Sequence, residues 1–135
     1  MHNASKSKYG KGETFVRYCS EEEAIKSKKA QNLVPKEHNG TATRDSKWIS
    51  ELKNSRFSSL SKKGHEYEMI IKTDSGALDW MKEHSFLAEK TAEESKLTGY
   101  VIIKNNEPGS YGIGVDLLQD FKKRFKPLIT YRRIK

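Results

Sequence analysis

The sequence predicts one α+β domain, a small mixed or antiparallel sheet with helices packed on it. Three observations lead there. Short runs rich in Thr, Val, Ile, Phe and Tyr recur along the chain, separated by polar, turn-forming stretches. The first such run passes directly into a capped helix, and the last helical pattern passes into a final β-forming run, so strands and helices are interleaved. The 135 residues, 34% hydrophobic and 33% charged, suffice for one core and a thin one.

Residues 1–12 are polar and include Gly10 and Gly12. They predict a flexible linker or boundary, with the folded unit at 13–135 and a larger protein upstream. Thr14 to Cys19 is a strand by composition. Phe15, Arg17 and Cys19 share one face of it, Val16 and Tyr18 the other. Ser20 followed by Glu23 is a capping box, and the acidic triplet Glu21–Glu23 suits a helix N-terminus. That helix runs to about Gln31 and ends before Pro35. Residues 35–46 read as a polar loop, Lys47 to Ser50 as a short strand, and 53–64 as a long loop of the kind that often has a function.

Glu66 to Thr73 is the clearest second strand. Asp74-Ser75-Gly76 turns the chain, and Ser75 to His84 is a short helix. Residues 85–98 are ambiguous. Tyr100 to Lys104 is a third strand, and 107–114, with three glycines, reads as a turn. Leu117, Leu118, Phe121 and Phe125 recur at helical spacing, which predicts an amphipathic helix from Val115 to Phe125. Pro127 stops it, and Leu128 to Ile134 is the last strand.

A net charge of +8 favours polyanions as partners: nucleic acid, an acidic protein or a nucleotide cofactor. Solubility alone is the competing explanation. The single cysteine, Cys19, excludes an internal disulfide and reads as a small hydrophobe of the first strand, with no histidine near it in sequence to activate a thiol. His2, His38, His65 and His84 are scattered, so no metal spacing exists. No run reaches membrane-spanning length and no signal peptide is visible.

Five constellations bear on chemistry. Arg17 is either a solvent-facing arginine of an edge strand or a guanidinium clamp for phosphate or carboxylate. Glu66 and Glu68 are either a solvated strand start or a pair in which one carboxylate orients a hydroxyl and stabilises developing positive charge. Trp48 and Ser50 are either core and strand end or the wall of a ribose site. Gly109 to Gly114 reads more as a tight turn than as a phosphate cradle, because its spacing matches neither dinucleotide nor P-loop fingerprints. Lys122, Lys123, Arg124, Lys126, Arg132, Arg133 and Lys135, interleaved with Phe121, Phe125 and Tyr131, are either a solvated basic face or a phosphate-binding surface.

Arg-Tyr-x-Ser-Glu-x-Glu-Ala at 17–24, the helix, Lys-Trp-Ile-Ser at 47–50 and Glu-Tyr-Glu-Met-Ile-Ile at 66–71 together resemble C-terminal toxin modules of bacterial polymorphic secreted proteins. The likeness is to those of the Rhs and contact-dependent type with an ADP-ribosyltransferase-like fold, over roughly residues 14–80. The resemblance implies NAD as cofactor, held by Arg17 with Ser50 and Trp48 shaping the ribose pocket. It implies Glu68 as the catalytic carboxylate and Glu66 as the group that orients the acceptor, with no metal. It further implies delivery as part of a larger bacterial protein into a target-cell cytoplasm, a macromolecular target, protein or RNA, and a cognate acidic immunity protein. The usual Ser-Thr-Ser of that class is absent here. The alternative from the residues is a metal-independent ribonuclease acting on tRNA or rRNA, using His65, Lys47 and Arg17. A third is a non-catalytic RNA- or protein-binding module.

Overall fold

A computed structural model describes residues 12–52, 64–87, 96–105 and 107–134. The predicted linker, except Gly12, and all of the predicted 53–64 loop except Gly64 lie outside them. The chain forms a single α+β domain with one seven-stranded open sheet and, among the described residues, three α-helices.

In chain order these are β1 (Glu13–Cys19), α1 (Glu21–Ala30), a small hairpin of β2 (Glu37–His38) and β3 (Thr41–Ala42), then β4 (Lys47–Glu51) and β5 (Tyr67–Thr73). There follow α2 (Ala77–Glu83), β6 (Ser85–Leu87), β7 (Val101–Ile103), β8 (Ser110–Ile113), a 3-10 turn at Val115–Leu117, α3 (Leu118–Phe125) and β9 (Leu128–Arg133). The strand order is β6-β7-β8-β4-β1-β5-β9, antiparallel throughout except for the parallel β6–β7 pair.

β1 lies inside the sheet, between β4 and β5, so Arg17 is not on an edge strand. Register fixes which side chains share a face. Phe15, Arg17 and Cys19 stand with Ile71, Met69 and Tyr67 of β5 and with Ile49 of β4. The core collects this face and all three helices: Phe15, Cys19, Ile49, Met69, Ile71, Tyr111, Ile113 and Ile129 meet Ala24, Ala77, Trp80, Met81, Leu118, Phe121 and Phe125. Leu118, Phe121 and Phe125 are all buried, as their helical spacing predicts. Trp80 of α2 packs on Phe121 and Phe125 of α3, with ring centroids 6.0 and 5.5 Å away.

α1 buries little, only Ala24 and Ser27, so its ends hold it in place. Ser20 Oγ accepts from Glu23 N–H at 3.2 Å at the N-terminus. At the C-terminus Gln31 adopts the left-handed conformation, and its side-chain amide bonds both the N–H (3.2 Å) and the C=O (3.3 Å) of Ile129. β9 is an edge strand, and this amide occupies backbone groups that would otherwise offer a template for another strand. Asn32 Nδ2 then donates to the Leu118 C=O at 2.9 Å and ties the end of α1 to the start of α3.

In the glycine-rich segment 107–114, where the sequence predicts a turn, residues 107–109 turn and Ser110–Ile113 form β8, paired with β4 and β7. Gly112 makes room for a side chain of β4. The Trp48 indole lies flat on its backbone, so that an added Cβ would sit 2.6 Å from Trp48 Cε2. The glycine is there for close packing, and only Gly109 takes a positive φ in the turn itself. Gly112→Ala should therefore displace Trp48 and cost about 1–3 kcal/mol, the usual penalty of overpacking. Urea unfolding would measure the loss, and tryptophan emission in the folded state should shift as the indole moves. The ambiguous 85–98 stretch contributes a short strand, β6. The polar 35–46 loop contains the β2–β3 hairpin.

Candidate functional site

The central strands β4, β1 and β5 carry most of the residues singled out by sequence, and they divide them between the two faces of the sheet. On the helix-covered face, β1 runs straight into α1. The first turn of that helix returns Glu23 over the strand end. Arg17 Nε and Nη2 donate to the two carboxylate oxygens of Glu23, a bidentate fork. Arg17 Nη1 donates to the Trp48 C=O at 2.9 Å. That last bond has a structural cause. Among the described residues β1 and β4 pair at Phe15–Glu51 and Val16–Ser50. Beyond those pairs the Arg17 guanidinium bridges the two strands through the Trp48 C=O.

Lys47 Nζ lies 3.4 Å from Glu23 Oε2, with its side chain only 3% exposed. One carboxylate thus serves two cations. Burial would raise the Glu23 carboxyl, but the bonds and charges of Arg17 and Lys47 outweigh it and hold it below the usual carboxylate range. Burial, with the Arg17 charge, pulls Lys47 down to about 8, against the partial support of Glu23. Burial first, and the Glu23 charge second, push the Cys19 thiol up to about 11. At neutral pH Cys19 is a protonated, buried thiol, which agrees with its reading as a small hydrophobe.

These shifts predict a pH dependence of stability. The folded Lys47 value of about 8 lies below the ordinary 10.5, so between them the unfolded chain holds the extra proton and stability rises with pH. Cys19 acts oppositely: its contribution is full below the ordinary 9.0 and is lost as pH climbs through about 11. The window from about pH 8 to 9 therefore isolates Lys47, and unfolding free energy should rise across it by about 1 kcal/mol. Urea titrations at both pH values, on wild type and Lys47→Met, check this. The methionine variant should lose the rise.

Arg17 and Glu23 also line a cleft of about 420 Å³ with Lys26, Lys36, Glu37 and His65. Of the set singled out for phosphodiester chemistry, Arg17 and His65 share this cleft, whereas Lys47 does not line it and is buried against Glu23.

The opposite face carries the other set. Alternation and register place Val16, Tyr18, Trp48, Ser50, Glu68, Ser110 and Gly112 together on it. Val16 and Tyr18 are buried and yet stand outside the helix-packed core. Glu68 is 9% exposed and sits beside Tyr18 in the β1–β5 register and beside Arg132 in the β5–β9 register. Arg132 Nε donates to Glu68 Oε1 at 2.8 Å. The Tyr18 hydroxyl also bonds Glu68; burial first, then that carboxylate, raises the phenol above its ordinary value. A carboxylate offers about four lone-pair sites, so two such bonds leave capacity for a ligand hydroxyl. Ser50 Oγ and Ser110 Oγ are 2.9 Å apart. Lys104 Nζ stands 5.0 Å from the centre of the Trp48 ring.

The structure therefore brings Trp48, Ser50 and Glu68 onto one face and turns Arg17 to the other. Glu66 is exposed just before β5, where its C=O accepts from Ile134 N–H at 2.8 Å. Sequence reasoning missed Tyr18 and Ser110, and placed Arg132 in a basic surface without its bond to Glu68. Alternation alone put Tyr18 opposite to Arg17, but its pairing with Glu68 and Arg132 depends on the register of three strands. It also assigned Glu23 to capping only, whereas its carboxylate serves Arg17 and Lys47. Among the described residues, no group of three or more His, Cys, Asp or Glu is placed to hold a metal ion, and no helix is long and apolar enough to cross a membrane. A scan of protein-family models finds none that matches this chain, and a search of curated proteins finds no significant match.

Proposed function

We propose that the chain is an NAD-dependent mono-ADP-ribosyltransferase acting on a macromolecule, with its reacting centre on the face of Glu68. One observation carries the reading: Glu68 is held between a cation and a phenol on the same face as Trp48, Ser50 and Ser110. The chemistry of that set fits the cofactor. Arg132 and Lys104 are cations for a pyrophosphate, Trp48 is a surface for an aromatic base, and the two serines and Glu68 suit ribose hydroxyls.

NAD supplies an activated glycosidic bond with nicotinamide as leaving group. Glu68 accepts a ribose hydroxyl and sets a fixed negative charge against the positive charge that develops at the ribose carbon. Arg132 and Tyr18 lock the carboxylate in place, so that little reorganisation is needed during reaction. Glu66, exposed two residues earlier, is positioned to orient the incoming acceptor. Arg17 acts at a distance: through the Trp48 carbonyl it sets the position of β4, which carries Trp48 and Ser50. This changes its role from phosphate clamp to positioning residue.

A second reading has its own support, since Arg17 and His65 line a single cleft with Lys47 buried next to Arg17's carboxylate partner. That arrangement suits a ribonuclease, with His65 as base for the 2′-hydroxyl and Arg17 for the phosphate. Incubating the purified chain with labelled NAD and cell lysate, and separately with total RNA, separates the readings. Labelled macromolecule or released nicotinamide supports the transferase, shortened tRNA or rRNA supports the nuclease, and neither leaves a binding module.

A further inference from the structure

We infer that the sheet edge at β9 takes an acidic, extended segment of another protein as an added strand. The inference does not rest on the NAD reading. β9 is the last strand on its side of the sheet. It pairs with β5 in one unbroken register, from Tyr67–Arg133 to Lys72–Leu128, with no bulge to turn the edge away. In an antiparallel ladder successive residues point their N–H and C=O alternately toward the neighbouring strand and away from it. Two contacts fix the phase. Ile134 N–H reaches inward to the Glu66 C=O, and Ile129 gives both its groups outward, to the Gln31 amide. Tyr131 and Arg133 share the parity of Ile129, so theirs also point outward. Among the described residues nothing takes them up. Gln31 thus guards the edge at Ile129 and leaves it open from Thr130 to Arg133.

The side chains around the open groups select the partner. On the face away from the helices β9 presents Leu128, Thr130 and Arg132, all exposed, with Lys72 opposite Leu128. On the helix face Arg133 is exposed, and Lys28 Nζ lies 5.6 Å from the centre of the Tyr131 ring. The carboxylates nearby are engaged one strand further in. Glu68 takes Arg132 Nε, which leaves that guanidinium its terminal donors, and Glu21 takes the Tyr67 hydroxyl at 2.7 Å. β9 itself carries two arginines and no acidic residue. A strand laid along it sends alternate side chains to the two faces. Adjacent Asp or Glu residues would therefore meet Arg132 on one face and Arg133 with Lys28 on the other. A second copy of this chain fits badly. Antiparallel pairing of two such edges through Tyr131 and Arg133 sets the two copies' Arg132 side chains directly opposite each other.

The test is amide hydrogen exchange, read by NMR on the whole chain. The probes are a blocked octapeptide, Val-Thr-Val-Glu-Glu-Val-Thr-Val, and its counterpart with Lys-Lys at the centre. In the free chain Tyr131 and Arg133 should exchange at least about tenfold faster than Thr130 and Arg132, which bond β5. Saturating acidic peptide should slow Tyr131 and Arg133 by at least about tenfold. The Lys-Lys peptide should bind at least about tenfold more weakly than the acidic one. Arg133→Pro removes an outward N–H and a charge while sparing the ladder to β5, and should weaken the acidic peptide by at least about tenfold. If that variant does not fold, the two peptides on the wild-type chain still decide. Slow exchange of Tyr131 and Arg133 in the free chain overturns the inference. So does equal binding of the two peptides, no slowing by the acidic one, undiminished binding to a folded Arg133→Pro variant, or slowing that follows protein concentration without peptide, the mark of a second copy at the edge.

Discussion

Glu68→Gln should lower NAD consumption by roughly 10²–10³-fold, equivalent to about 3–4 kcal/mol of lost stabilisation of developing positive charge. The substitution is nearly isosteric, and its carbonyl oxygen still accepts from Arg132 or Tyr18, so the fold should lose no more than about 1–2 kcal/mol. Released nicotinamide measures the first effect. Far-UV circular dichroism and a thermal melt measure the second. Arg132→Ala should act in the same direction but more weakly, because its side chain is 68% exposed and positions the carboxylate without replacing it. A Glu68→Gln protein that consumes NAD at the wild-type rate would end the transferase reading and leave the Arg17–His65 cleft as the remaining catalytic candidate.

Arg17→Ala should be the most destabilising single change on the helix-covered face, by about 3–5 kcal/mol. It leaves the Glu23 carboxylate, 19% exposed, with Lys47 as its remaining cation, and strips the Trp48 carbonyl of its donor. The damage comes from the unpaired partners and not from the pair's own worth. Replacing all three by apolar groups, Arg17→Met with Glu23→Leu and Lys47→Met, should recover most of the loss. Urea unfolding of the single and triple variants checks this. The same triple variant separates two roles for Arg17. If the arginine acts on the site only by keeping the fold intact, NAD consumption should return with the fold, to within about tenfold of wild type. A folded triple variant with no NAD consumption would mean that Arg17 acts on the site itself, through the Trp48 carbonyl or on the cofactor.

Much of the fold was legible because its signals are local. Ser20 before the acidic triplet, the helical spacing of Leu118, Phe121 and Phe125, and the β-rich runs around residues 14–19, 66–73 and 128–134 depend on neighbours in sequence. β8 was not legible. Ser110-Tyr-Gly-Ile has the composition of a turn, and it is extended because it pairs with β4 and β7, where Gly112 leaves the space that Trp48, far away in sequence, occupies. The candidate site was legible in residue type and not in arrangement. Trp48, Ser50 and Glu68 were each singled out, and they do share a face.

By itself the sequence determined the α+β class, the strand-to-helix turn at Ser20, the buried thiol at Cys19 and the alternation that sends Arg17 and Tyr18 to opposite faces of β1. Only the tertiary structure decided that β1 is a central strand, that Glu23 turns back to hold Arg17 and Lys47, and that Glu68 meets Tyr18 and Arg132. The physical reason is that a strand's side-chain period is fixed by its own backbone, whereas its partners are fixed by register with strands distant in sequence. Arg17 shows the difference. Its position on the strand could be read directly, but its carboxylate lies on the next helix and its carbonyl on β4, and those two contacts settle what it does.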